Sequence, residues 1–135
     1  MLFRSCGLLH ASHRFASLDY ENLLKLTWIL TRNHADVVEM ARRMIFNVKS
    51  GNKDDHSKNF SFLLNKDNQW QLAPAYDLTP SAGINGEQTC MVNGKGRDIT
   101  DADLTKTAAS AGVSEAESKA LIKQVNTALQ QYNIC

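Results

Sequence analysis

Apolar residues recur at helical spacing in two long stretches separated by a short polar break. In the first, Leu23, Leu26 and Leu30 are joined by Trp28 and Ile29, with Ser17 or Asp19 as a candidate N-cap. In the second, Val37, Met40, Ala41, Met44, Ile45 and Val48 repeat with the period of one helix face, and Gly51 is placed to stop the helix. Residues 31–34 form the turn between them. Both helices are expected to be core elements, and their Met and Trp residues are read as packing rather than as a cofactor site.

Elsewhere the pattern changes. Residues 1–16 show neither a period nor a strong cap and read as an irregular lead-in. After Gly51 comes a polar loop, NKDDHSKN, then two short β-leaning runs around an Asn/Asp-rich turn. These predict a hairpin of residues 60–64 and 69–73, ended by Pro74, which cannot donate to a ladder. The segment 81–96 carries Gly83, Gly86, Gly94 and Gly96 and reads as mostly loop, with a short extended piece at 89–92. Two helices close the chain. One starts at Thr100, with Asp103 three residues on, and ends near Gly112. The other starts at the capping box Ser114/Glu117 and runs to about Tyr132. The expected fold is one domain, 1–135, α-rich α+β with one small β-hairpin.

Bulk properties narrow the function. The 135 residues suit one modest core, with 43% apolar and 21% charged residues, an ordinary globular balance. Fifteen basic against 14 acidic side chains give a net charge of +1, so nucleic acid or an anionic membrane would have to be bound locally. No apolar run approaches the length of a bilayer span, and the N-terminus lacks the pattern of a secretory signal. Cys6, Cys90 and Cys135 are too few and too scattered for a zinc site or a disulfide framework. A cytoplasmic location is expected.

The segment Asp54-Asp55-His56-Ser57-Lys58-Asn59, together with Asp77 after the hairpin, carries the candidate chemistry. An antiparallel hairpin returns the chain to where it started, so Asn59 and Asp77 are expected to be neighbours. An amide oxygen beside a carboxylate, without thiolates, suits a hard divalent ion such as Mg²⁺. Asp54 precedes Asn59 by the spacing of the Asp and Asn in a kinase catalytic loop, where one faces a substrate hydroxyl and the other the metal. Lys58 is placed to neutralise a phosphate, and His56 to contact a nucleotide or orient the loop. The same set of Asp54, His56, Asn59 and Asp77 also admits a hydrolytic metal site of the nuclease type. His10, His13 and His34 have no ligand partner at useful spacing and read as structural or surface residues, and Asp55 as a solvated neighbour.

With FNVKSGNKDDHSKNFSFLL, WQLAPAYDLTPS and NGKGRDIT in this order, the chain resembles the HipA-like serine/threonine kinases of bacterial toxin–antitoxin modules. The resemblance implies the C-terminal lobe of a HipA/protein-kinase-like fold, with the metal site at the base of the hairpin. It implies Asp54 as catalytic base, and His56, Ser57, Lys58 and Asn59 as the loop that contacts ATP and metal. Tyr76 and Asp77 become the pair closing the nucleotide site, with Asn59 and Asp77 on Mg²⁺. It further implies a HipB-type antitoxin and a protein substrate such as an aminoacyl-tRNA synthetase. A local DNA contact through Lys95 and Arg97 is also implied. Members of the family carry an N-terminal lobe that holds ATP's phosphates, and this chain matches only the part C-terminal to it. The expectation is a lobe inactive alone or dependent on a separate N-terminal lobe, with a non-catalytic interaction module as the alternative. Such a lobe is expected to expose an apolar patch among residues 1–16 and the hairpin.

Overall fold

The computed structural model describes residues 2–4, 19–51, 61–74 and 92–131. In chain order they form β1 (Leu2–Arg4), α1 (Tyr20–Thr31), α2 (His34–Ser50), β2 (Ser61–Leu64), β3 (Trp70–Leu72), α3 (Asp101–Ala109) and α4 (Glu115–Gln131).

The helix boundaries come from local chemistry. Asp19 caps α1 by accepting from the Asn22 N–H at 2.9 Å, and Asn33 caps α2 by accepting from the Ala35 N–H at 3.0 Å. Gly51, at φ 78°, ends α2 in the left-handed region that a Cβ disfavours. Arg32 performs the same turn at φ 49° after α1. Its guanidinium lies over the Trp28 ring, 5.7 Å from the centroid.

The core forms where α2 packs on α1 along one side and on α4 along another. Leu23, Leu24, Val37, Met40, Met44 and Ile45 are fully buried, joined by Leu104 and by Leu121, Ile122 and Val125 of α4. Removing this much apolar surface from water is the main stabilising contribution. The periodicity therefore located the buried face of α2 correctly. On α1 it did so only in part. Trp28 and Ile29 are each 41% exposed, so they lie outside the core that the sequence pattern assigned them to. Leu23, Leu24 and Leu26 already fill the inward stripe, and Trp28 and Ile29 fall beside it.

The hairpin is present, with its turn built by one side chain. Asn65 Oδ1 accepts from the N–H groups of Asp67 at 2.9 Å and Gln69 at 3.0 Å. Asn68 takes the positive φ, 58°, that closes the loop. Phe62 pairs with Leu72 and Leu64 with Trp70. The lead-in is a departure from expectation. Leu2–Arg4 is a strand, antiparallel to β2 with Phe3 opposite Phe62, and makes a three-stranded sheet in the order β1-β2-β3. Three residues are too few to show an alternation, and their partner lies far along the chain. Of the apolar patch expected among residues 1–16 and the hairpin, the lead-in part lies outside the residues whose side chains are described. Leu63, Leu64, Trp70 and Leu72 of the hairpin are half-buried, and the exposed large apolar side chains among the described residues are Trp28 and Ile29.

Asp103 joins the closing helices to the turn before them. Its carboxylate accepts from the Thr100 N–H at 2.9 Å, completing the capping box. It also accepts from Asn93 Nδ2 at 2.9 Å and Lys95 Nζ at 3.0 Å. These donors, the Thr100 N–H first, hold the Asp103 carboxyl well below the usual carboxylate range. A carboxyl depressed in the folded state adds stability that is complete above the ordinary carboxylate range, about pH 4. That contribution is lost as the pH falls toward the folded value. Asp103→Ala should therefore lower the melting temperature by several degrees at pH 7, and by less on each step down from pH 5. Thermal melts across pH 3–7 check this; equal penalties at every pH would contradict it.

Candidate functional site

The sequence-predicted site residues fall on two segments. Asp54, His56, Ser57, Lys58 and Asn59 lie within 52–60, and Tyr76 and Asp77 within 75–91. Both segments are outside the described residues, as are Cys6, Cys90 and Cys135. The framework that launches the two segments is described in full, and it constrains where they start.

Helix α2 delivers the chain to Gly51, and β2 takes it up at Ser61. Beyond the last named pair of the hairpin, the Ala73 N–H donates to the Ser61 carbonyl at 2.9 Å. The point where the chain enters β2 and the point where it leaves β3 therefore face each other on one rung of the ladder. Both residues are buried, Ser61 at 1% and Ala73 at 4% exposure.

Two side chains of α2 hold this end of the hairpin through its backbone. Asp36 Oδ2 accepts from the Leu72 N–H at 3.3 Å. Arg43 donates through Nη2 to the Ala73 carbonyl at 2.7 Å. The Arg43 side chain is buried, and Glu39 Oε1 stands 3.6 Å from its Nε. One helical turn further, Asn47 Nδ2 donates to the Tyr20 hydroxyl at 2.9 Å, both groups buried. Ser50, at the last position of α2, is 1% exposed, and its Oγ has no hydrogen-bond partner among the described residues.

Asp36, Arg43, Asn47 and Ser50 were not singled out from sequence. Their spacing held a usable signal. They lie seven, four and three positions apart, so they form one polar stripe along a helix whose apolar stripe is just as regular. A charged residue on such an inward stripe is rarely buried without a partner to receive it.

The remaining expectations can be placed. His34 pairs with Glu117 at 2.8 Å, joining the N-terminus of α2 to that of α4, which suits a structural role. The Ser114 N–H first, and then His34, hold the Glu117 carboxyl below its ordinary value. Lys95, named for DNA contact, forms an ion pair with Asp103 at 3.0 Å, so its charge already serves the fold. Arg97 is exposed. An open groove of about 760 Å³ runs between α3 and α4, past Lys106, Lys119 and Ile122. No group of three or more His, Cys, Asp or Glu among the described residues could hold a metal ion. No helix among them is long and apolar enough to cross a membrane.

The architecture is thus helix-rich, with a small hairpin clamped to its central helix at Ala73 and Leu72. Comparison with known proteins identifies the lineage. The family model of the HipA-like C-terminal domain matches residues 3–132, and the chain belongs to that family. A Sinorhizobium fredii protein named "Putative kinase Y4dM" is 33% identical over 108 residues, which are 76% of this chain and 26% of that protein. A Haemophilus influenzae "Putative kinase" is 41% identical over 62 residues, 45% of this chain and 18% of that protein. Among solved structures, the Shewanella oneidensis HipA, HipB and operator DNA complex matches with a TM-score of 0.73 at 18% identity. The match covers 86% of this chain and 28% of that one. That likeness shows the fold. The chain spans about a quarter or less of the curated relatives it matches.

The buried pair between α1 and α2 gives a stability test. Tyr20→Phe leaves the ring in place but strands the Asn47 amide from its partner hydroxyl. Losing one side of a buried hydrogen bond costs about 1–3 kcal/mol. Urea denaturation of the variant should show a lower midpoint at an unchanged slope; an unchanged midpoint would mean that the bond contributes nothing net.

Proposed function

We propose that this chain is the catalytic-loop-bearing lobe of an ATP-dependent serine/threonine protein kinase of the toxin–antitoxin type. The observation that supports it most is the adjacency of Ser61 and Ala73 at the clamped end of the hairpin. From there the chain leads back to Asp54 and Asn59 and forward to Tyr76 and Asp77. Segments that begin side by side can build one site from residues far apart in sequence. Family membership and the kinase names of two relatives point the same way.

In this reading Asp54 accepts the proton of the attacking serine or threonine hydroxyl, the role of the Asp in a kinase catalytic loop. His56, Ser57 and Lys58 contact ATP, and Tyr76 closes the nucleotide site. Asn59 and Asp77 would hold Mg²⁺. Their donor set, one amide oxygen and one carboxylate with no thiolate, fits a hard ion that takes its other ligands from phosphate and water. When bound, the ion neutralises charge on the phosphates during transfer.

Phosphoryl transfer depends on groups from both sides of the nucleotide. The activity therefore belongs to this lobe together with an N-terminal lobe that holds the phosphates. A HipB-type antitoxin and operator DNA are partners of the same proposal, since the Shewanella HipA matches in fold and stands in a complex with both. An aminoacyl-tRNA synthetase as substrate rests on the family resemblance. The expected location is the cytoplasm.

Alone, the chain should bind Mg²⁺–ATP no tighter than the high micromolar range, about −5 kcal/mol, because half of the contacts are missing. Calorimetry measures this, and nanomolar binding would contradict the two-lobe requirement. A HipA-type N-terminal lobe added in trans should restore serine/threonine phosphorylation, abolished by chelating Mg²⁺. In that mixture Asp54→Asn should lower turnover by about 10²–10⁴, the worth of a positioned general base. Asp77→Ala should cost at least as much. Wild-type turnover in both variants would remove these aspartates from the mechanism. Associated but silent lobes would instead favour a non-catalytic interaction module.

A further inference from the structure

Packing alone does not account for the buried arginine of α2. A guanidinium is rarely buried, and a buried ion pair is commonly replaceable by apolar side chains at no loss of stability. Arg43 nevertheless sits on the inward stripe of a core helix at 6% exposure, reaching across to a backbone carbonyl of the hairpin. The carbonyl it takes is that of Ala73, the first residue past β3, with only Pro74 before the segment that carries Tyr76 and Asp77. The neighbouring amide, Leu72 N–H, is taken by Asp36 of the same helix. Helix α2 therefore grips two consecutive residues of the outgoing chain, one through its N–H and one through its C=O. The same helix ends at Gly51, where the segment carrying Asp54 and Asn59 departs.

We propose that Arg43, with Asp36 in support, is a positioning residue: it fixes the exit of β3 against α2 and so sets the spacing of the two segments that supply the metal ligands. This rests on the kinase reading of those segments. The chemistry suits the task. The Arg43 side chain is charged at every relevant pH, and its planar fork keeps Nη2 directed at the carbonyl while Nε faces Glu39, 3.6 Å away. Proline at 74 has no N–H, so the chain cannot secure its own exit by another ladder rung at that position. Arg43 supplies a donor from outside the ladder to the carbonyl just before it. Small displacements matter in such a place, because a ligand set misplaced by an ångström loses much of its effect.

The test uses the 135-residue chain and the paramagnetic probe Mn²⁺–ATP, with water-proton relaxation enhancement as the readout, which detects weak binding and needs no turnover. Wild type should enhance relaxation, and Asp77→Ala should abolish the effect. Arg43→Met, of similar length and apolar, should keep the fold by circular dichroism yet weaken Mn²⁺–ATP binding at least fivefold. Arg43→Lys, which retains a charge and a donor but not the fork, should recover part of the affinity. Leu121→Ala, a core truncation on α4, should lower the melting temperature and leave the affinity within twofold of wild type.

Arg43→Met affinity within twofold of wild type, with Asp77→Ala inactive, would overturn the positioning role while leaving the metal site intact. An equal loss in Leu121→Ala would also overturn it, by showing that general loosening is enough. No difference between wild type and Asp77→Ala would end the metal-site reading, and the role of Arg43 with it.

Discussion

The hydrogen bond between Arg43 and the Ala73 carbonyl, 2.7 Å long and shielded from water, gives direction to a join between two kinds of structure that the burial of Phe62 already holds together. One is a helical core held by apolar burial, which is strong but has no direction. The other is a hairpin of four and three residues, too short to be stable by itself in water. Apolar contact can press such a hairpin onto a helix without fixing where it lies. Directional bonds to its backbone fix it, and α2 supplies two. That seam sets the register: Ser61 and Ala73 become neighbours, and the polar segments on either side depart from a common point.

The rest of the lobe stabilises α2 in turn. Asn47 meets Tyr20 of α1 beneath the hairpin side of the helix, and His34 meets Glu117 at its other end. Glu117 also completes the cap of α4, since the Ser114 N–H donates to its Oε1 at 3.0 Å. The exposed pair on α4's side of the molecule is worth little alone. Its geometric effect is larger, because it aligns the starts of two 17-residue helices that share the core. The turn at 92–95 is held differently, by the carboxylate of Asp103 rather than by burial. Val92 is the one residue of that turn that reaches the core.

How much of this was readable in the sequence depended on the range of the causes. Caps are local: Gly51, Thr100/Asp103 and Ser114/Glu117 act where residue type had placed them, and of the two candidates Ser17 and Asp19 it is Asp19 that caps α1. The apolar stripe of α2 is a property of one helix and was equally plain. The features that stayed hidden needed a partner distant in sequence. Strand β1 exists through its pairing with β2, and three residues carry no pattern of their own. Trp28 and Ile29 looked like core because the helical period cannot tell a filled inward face from its flank. The polar stripe Asp36–Arg43–Asn47–Ser50 was legible as spacing, but the meaning of its first three members lies in the amide, carbonyl and hydroxyl that meet them. Family-level motifs reached further than periodicity in one respect, since they named the segments whose flanking residues, Ser61 and Ala73, lie opposite each other.

This division of labour has a consequence for how such a lobe could lose one property and keep another. The apolar stripe of α2 determines whether the domain folds; the polar stripe determines where the hairpin is held. A volume-conserving change on the apolar stripe is tolerated as long as the core stays filled. A change on the polar stripe leaves most of the buried apolar area untouched while freeing a strand exit by fractions of an ångström. Catalytic arrangements are far more sensitive to such displacement than stability is. A relative that had become a binding module would therefore be expected to keep Val37, Met40, Met44 and Ile45 as apolar residues and to relax Arg43 and Asp36. In this chain both stripes stand side by side on one helix, the apolar one through Val37, Met40, Met44 and Ile45 and the polar one through Asp36 and Arg43.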